Sequence, residues 1–238
     1  MLKALIFDVD GTLADTEAAH WRAFNQAFDQ EGMGWHWTLT QYTELLAISG
    51  GKERMLHHWR LVNPELTEVG AGAVQATIDR LHDVKNAFYD AAIQDGAVAF
   101  RPGVLTLMEE ARAAGLKLGI ATTTSPANVA ALLRSALGSQ WRMLFSAVAD
   151  AGNVPIKKPH PQVYLRVLAD MAMPARECLA FEDSFNGLRA ACAAQLATVI
   201  TPNAFTAHHD FSGALRVVPD LTGVKLDQLR EWFAAAQH

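Results

Sequence analysis

Four short apolar runs limit what this chain can become: Ala4–Val9, Lys117–Ala121, Cys178–Phe181 and Thr198–Ile200. Each is too short for a helix, and the first stops at a glycine turn, a pattern that reads as a buried strand entering a loop. Helical patterns lie between and around the later runs, at Val104–Ala114, Ala127–Leu137, Gln162–Met171 and Leu188–Ala194. Strand alternating with helix predicts an α/β fold, a Rossmann-like parallel sheet with crossover helices on both faces. Ser125-Pro126 supplies an N-cap followed by proline at the first helical position, and Pro161 is expected to do the same after His160.

Residues 14–98 break this rhythm. Thr16–Gly32 reads as a helix with Trp21, Phe24 and Phe28 on one face, and Val74–Ile93 as a longer one carrying Ile78, Leu81, Val84, Phe88 and Ala92. No strand pattern separates them. The expectation is an all-helical cap over 14–98, inserted into a core domain formed by 1–13 and 99–238. Leu226–Ala236 reads as an amphipathic closing helix.

Composition narrows the function classes. The chain has 238 residues and a net charge of -5, which argues against a nucleic-acid partner, because phosphate-backbone binding wants a basic face. No run approaches the ~18 apolar residues of a membrane helix, and the apolar start is cut off by Asp8 before it reaches signal-peptide length. Cys178 and Cys192 have neither metal-ligand nor redox spacing, which fits reduced thiols and a cytoplasmic protein. A monomer is expected. Gly70-Ala71-Gly72 lacks the preceding strand of a dinucleotide loop, and His57-His58 and His208-His209-Asp210 have no partner at metal-ligand spacing. Trp35-His36-Trp37 is expected to pack inside the cap.

The chemistry concentrates at strand ends. Asp8-Val9-Asp10-Gly11-Thr12 places two carboxylates where a strand stops, and ligands of open parallel sheets bind at such ends. One carboxylate can attack phosphorus while the other protonates the leaving oxygen. Thr122-Thr123-Thr124-Ser125 sets hydroxyls and backbone N–H groups beside a helix start, a site for phosphate oxygens. Lys158 offers a positive charge, and Glu182-Asp183 adds two carboxylates after the strand at Cys178. A phosphomonoester dianion meeting a carboxylate is repelled by roughly 4 kcal/mol per charge pair at about 4 Å and an effective dielectric of 20. Cations must offset that. Asp8, Asp183, Glu182 and the Asp10 backbone carbonyl are candidate ligands for Mg²⁺, and Lys158 is a second positive charge beside the nucleophile.

In this order, the Asp8–Thr12 segment, Thr122, Lys158 and Glu182-Asp183 resemble the four motifs of the haloacid dehalogenase superfamily phosphohydrolases. The resemblance implies a Rossmann-like core with a helical cap, Asp8 as nucleophile, Asp10 as acid and then base, and Thr122 and Lys158 as binders of the transferring phosphoryl group. Asp10 argues against the dehalogenase branch, which needs neither that acid nor a metal. A closer resemblance is to the CbbY-type sugar-bisphosphate phosphatases, through Asp15-Thr16-Glu17 with His20, Ser49-Gly50-Gly51-Lys52-Glu53-Arg54, Arg101-Pro102-Gly103 and Ala121-Thr122-Thr123-Thr124-Ser125. It implies a sugar phosphate or bisphosphate partner, with xylulose 1,5-bisphosphate as that family's characteristic substrate. Lys52 and Arg54, after the Gly50-Gly51 turn, are candidates for a distal phosphate, since arginine grips phosphate with two parallel hydrogen bonds. Glu17 and His20 are candidates for sugar hydroxyls. Lys85, Arg101, Thr123 and Thr124 complete the candidate substrate ligands. Two rivals remain open. A β-phosphoglucomutase-like enzyme would share Asp8, Asp10, Thr16 and His20. The other rival is a non-catalytic phosphometabolite-binding protein.

Overall fold

The computed structural model describes residues 1–64 and 71–236. Gly70, part of the discounted glycine pair, lies outside them. The described chain divides into two compact units, Met1–Thr16 with Val98–His238, and Glu17–Ala97.

The first unit is built on a parallel sheet with strands β1 (Ala4–Phe7), β2 (Lys117–Ala121), β3 (Ala147–Ala149), β4 (Cys178–Glu182), β5 (Ala197–Ile200) and β6 (Arg216–Val217). Their order is β3-β2-β1-β4-β5-β6. β1 is central, with Phe7 level with Ile120 of β2 and Phe181 of β4. The sheet order reverses beside β1, and a crevice opens at such a switch point in doubly wound folds. β1 and β4 are buried along their whole length, as expected for parallel strands covered on both faces.

Two strands are absent from the sequence expectation. β3 is only Ala-Val-Ala, and β6 is an exposed Arg-Val pair at the sheet edge. Neither is long enough to carry a hydrophobic pattern of its own. Their pairing is set by the neighbouring strands.

Helices α5 (Val104–Ala113), α6 (Pro126–Leu137), α7 (Gln162–Met171), α8 (Phe185–Ala193) and α9 (Leu226–Ala235) belong to this unit. One buried cluster joins Ala4 and Ile6 of β1 to Val163, Tyr164, Val167 and Met171 of α7 and to Ala190 and Ala191 of α8. Residues of β1 that alternate with these, Leu5 and Phe7, face the other side, and the Phe7 ring stacks on Phe181 at 4.7 Å. α6 starts as its sequence signals, with Ser125 Oγ accepting from Asn128 N and Pro126 inside the first turn. α7 keeps the expected span, with Pro161 at the N-cap instead of the first helical position. α8 starts three residues earlier than its apolar pattern, because Ser184 caps it through the Gly187 N–H.

The second unit holds α1 (Glu17–Gln30), α2 (Leu39–Leu45), α3 (Gly51–Val62) and α4 (Ala71–Gln94). α1 and α3 each pack on α4. α2 and α3 went unread in the sequence. α2 is a seven-residue helix held by a capping box between Thr38 and Gln41, too short for a periodic signal. The unit's aromatic core is pinned by one amide: Asn25 Nδ2 donates to the Trp37 carbonyl at 2.9 Å, and the Trp37 N–H donates to Asn25 Oδ1 at 2.8 Å. Trp37 is fully buried against Phe24, Phe28 and Tyr42, whereas His36 is exposed.

Candidate active site

One residue past the paired Phe7 and Phe181, Asp8 comes level with Glu182, and the Asp8 N–H donates to the Phe181 carbonyl. Lys158 reaches both carboxylates. Its Nζ donates to Asp8 Oδ1 at 2.6 Å and to Glu182 Oε1 at 2.5 Å. All three groups are buried. Burial alone would lower the Lys158 ammonium, but the Asp8 and Glu182 carboxylates reverse that and hold it above its ordinary value. Lys158 therefore stays charged. Burial pushes the Asp8 carboxyl up to about 7; Lys158 pulls the other way, while Glu182 and Asp10 add to the rise.

Ligand atoms of Asp8, Glu182 and Asp183 all lie within 4.8 Å of one another. Three buried carboxylates facing one ammonium leave an excess of negative charge. Glu182 Oε2 is buried and has no hydrogen-bond partner, while Oε1 serves both Lys158 and the Tyr164 hydroxyl. An all-oxygen donor set with this charge fits a hard divalent cation such as Mg²⁺. The Asp10 side chain stands outside the carboxylate trio and instead accepts from the Thr16 hydroxyl at 2.7 Å. That bond orients Asp10 from Thr16, the last residue of the first unit's opening segment.

Thr122 is buried at the end of β2, and its Oγ1 accepts the Thr124 N–H at 3.3 Å. Thr123 and Thr124 are half-buried, and Lys157 Nζ donates to the Thr123 carbonyl at 3.2 Å. The hydroxyl run is thereby folded into a turn that leads directly into the α6 N-terminus.

Arg101 has a different place from the substrate-binding one expected of it. Its guanidinium donates to the carbonyls of Gly11, Thr201, Pro202 and Pro219, and Nε lies 3.4 Å from Asp15. Those bonds occupy its donors and make it a brace between loops.

The remaining candidates sit in the second unit. Glu17 Oε2 accepts from the Tyr42 hydroxyl at 2.6 Å, and Arg54 Nη1 donates to that hydroxyl at 3.4 Å. Arg54 Nε also donates to the Ile48 carbonyl, and its guanidinium lies over the Tyr42 ring. His20 stacks on Tyr89 at 4.1 Å, and its Nδ1 lies within hydrogen-bond distance of Lys85 Nζ, at 2.7 Å. Glu17, His20 and Lys85 are all buried. Lys52 turns to Asp79 at 2.6 Å, both about half exposed. Such an exposed pair is worth only about 0–1 kcal/mol, so it leaves Lys52 able to exchange partners. Gly50 has φ +101, and a Cβ there would run into the Glu53 carboxylate, while a Cβ on Gly51 would press on the Phe24 ring and His82. The positive φ makes Gly50 a backbone requirement of the turn into α3, whereas Gly51 is crowded only by side chains.

Side chains in these networks that are missing from the sequence-level candidates include Tyr42, Tyr164 and, as an Asp10 partner, Thr16. Tyr164 is fully buried, and burial with the Glu182 carboxylate nearby keeps its phenol protonated and donating. Its place in the apolar stripe of α7 hid it.

The fold and this carboxylate–lysine centre define a class. A profile of haloacid dehalogenase-like hydrolases matches residues 2–195, and the chain belongs to that family. Within it the chain groups with the CbbY proteins. It is 53% identical over 220 residues to the plasmid-borne CbbY of Cupriavidus necator, covering 92% of this chain and 86% of that one. To CbbY of Rhodobacter capsulatus it is 44% identical over 230 residues, covering 97% and 98%. Among solved structures, CbbY of Rhodobacter sphaeroides in complex with phosphate superposes with a TM-score of 0.86 at 38% identity, covering 97% of this chain and all 100% of that one. A variant of the same protein, in complex with xylulose-(1,5)bisphosphate, also gives 0.86 at 38% identity over 96% and 99%. A β-phosphoglucomutase from Clostridium difficile shares the fold, with a TM-score of 0.82 at 22% identity and coverage of 100% and 99%. The chain is an enzyme, a phosphatase-type hydrolase of this family.

Proposed function

We propose that the enzyme is a Mg²⁺-dependent sugar-bisphosphate phosphatase that converts xylulose 1,5-bisphosphate to xylulose 5-phosphate through an aspartyl-phosphate on Asp8. The observation that carries the reading is the Asp8 carboxylate at a strand end, 2.6 Å from the Lys158 ammonium and grouped with Glu182 and Asp183. The choice of substrate is supported by the CbbY relatives, one of which has been solved with that bisphosphate.

Asp8 attacks phosphorus, and the bond from phosphorus to the sugar oxygen breaks. Asp10, oriented by Thr16, gives its proton to that oxygen. Asp10 then takes a proton from water as the water attacks the phosphorus, which frees Asp8 and releases phosphate. Lys158 holds a phosphoryl oxygen and keeps its charge throughout, and Thr122 with the turn before α6 donates to the others. Asp8, Asp183, Glu182 and the Asp10 carbonyl would hold Mg²⁺, which supplies charge neutralisation between the phosphoryl group and the nucleophile.

Recognition of the phosphate that stays on the sugar is assigned to Arg54, with Lys52 as a weaker contributor. Glu17, His20 and Lys85 are assigned to the sugar hydroxyls. Asp8→Asn should abolish turnover. The products of the unaltered enzyme, followed by ³¹P spectroscopy with Mg²⁺, should be inorganic phosphate and a pentulose monophosphate. Phosphate release by the Asn variant sinks the nucleophile assignment. A rearranged sugar phosphate without inorganic phosphate points to the mutase instead.

A further inference from the structure

Asp183 is gripped from outside the motifs. Asn203, on the loop after β5, donates from Nδ2 to Asp183 Oδ2 at 2.8 Å, and the same nitrogen lies 3.5 Å from the Gly11 carbonyl. The orientation of this amide is fixed by chemistry. Its Oδ1 accepts the Phe205 N–H at 2.8 Å, and a backbone N–H can only donate, so the opposite atom is the NH₂ that a carboxylate requires. The loop is closed again by the Asn203 N–H, which donates to Thr206 Oγ1 at 3.1 Å. Gly11 completes the arrangement. It has φ +78, and a Cβ there would collide with both Asp183 Oδ2 and Asn203 Nδ2. The turn carrying Asp10 is thus packed directly on the Asp183–Asn203 pair.

We infer that Asn203 is a positioning residue that sets the plane of the Asp183 carboxylate, and the turn at Gly11, for divalent-cation binding. This rests on the reading of Asp183 as a cation ligand. An outer hydrogen bond that fixes a ligand's orientation is usually worth about 10–100-fold in metal affinity. A neutral donor suits this task, because it orients the carboxylate without cancelling the charge the cation needs.

The test is calorimetric titration of the purified protein with Mn²⁺ and Mg²⁺, with no substrate present. Asn203→Ala should weaken binding about tenfold or more. Thr206→Ala loosens the same loop but keeps the amide, and should stay within about twofold of the unaltered protein. In steady-state assays, Asn203→Ala should raise the Mg²⁺ concentration needed for half-maximal rate. At saturating Mg²⁺, KM for the sugar phosphate should be unchanged. If Asn203→Ala binds cations as tightly as the unaltered protein while Asp183→Asn does not, the inference fails and the metal-site reading stands. Equal losses in the Asn203 and Thr206 variants mean loop distortion, which also overturns it. No cation binding by the unaltered protein overturns both.

Discussion

The burial of Asp8 and the two roles proposed for it pull its proton in opposite directions. Burial lifts its carboxyl to about 7, yet both nucleophilic attack and cation binding require the ionised form. Below that pH the folded, cation-free protein holds a proton on Asp8, and a divalent cation must displace it. Mg²⁺ affinity should therefore fall as pH drops from 8 to 6, approaching tenfold per unit below about 7. Calorimetry across that range reads it directly, and a flat profile would contradict the shift. The residues of this centre were legible in the sequence for a physical reason. Asp8, Lys158, Glu182 and Asp183 belong to short polar segments that adjoin apolar runs, so pattern and chemistry coincide. Tyr164 and Asn203 act on Glu182 and Asp183 across 18 and 20 residues of chain. Nothing local distinguishes a phenol in an apolar helix stripe, or an asparagine in a turn, from an ordinary structural residue. Arg101 misled in the opposite sense: a cation near a Pro-Gly turn gives no hint that carbonyls will consume its donors.

At the level of elements, the α6 N-terminus does two things at once. Ser125 caps the helix, and the turn it closes contains Thr122, Thr123 and Thr124. Ser125→Ala should cost about 1 kcal/mol of stability, the usual worth of a lost N-cap, measurable by urea unfolding. Since the same turn presents the proposed phosphate-binding donors, the variant should also raise KM for any phosphomonoester by a few-fold. A stability loss without a KM change would mean that the turn keeps its shape without the cap. Long periodic elements such as α1 and α4 were legible from their apolar faces. α2, α3, β3 and β6 were not. α2 depends on a capping box and α3 on a glycine turn, while β3 and β6 exist because β2 and β5 offer unpaired edges. The capping box and the glycine turn are local but aperiodic, and the strand edges are tertiary, so hydrophobic periodicity contains none of them.

At the level of the whole molecule, the chain separates into a unit that carries the carboxylate centre and a unit that carries the Arg54–Tyr42–Glu17 and Lys85–His20 networks. Under the proposed division of labour, altering the second unit should change which substrates are accepted more than how phosphorus is attacked. Arg54→Ala should raise KM for xylulose 1,5-bisphosphate by about tenfold or more, the loss expected for a charge-assisted hydrogen-bond pair worth roughly 1.5–3 kcal/mol. KM for a small monophosphate should move far less. Equal effects on the two substrates would remove Arg54 from distal-phosphate recognition. Tyr42→Phe adds a control: it keeps the ring under the guanidinium and removes only the hydroxyl shared with Glu17.

The point where the chain leaves the sheet unit and returns to it is itself stitched together. Ala14 bridges to Phe100, and the Arg101 N–H donates to the Leu13 carbonyl. Exit and re-entry are therefore neighbours, joined by their own backbone bonds. A stretch of some eighty residues can be lengthened, shortened or exchanged between those two ends while the strands that build the phosphoryl-transfer machinery keep their pairing. Under the proposed division of labour, substrate choice can then diversify through one replaceable cassette without renegotiating the catalytic apparatus.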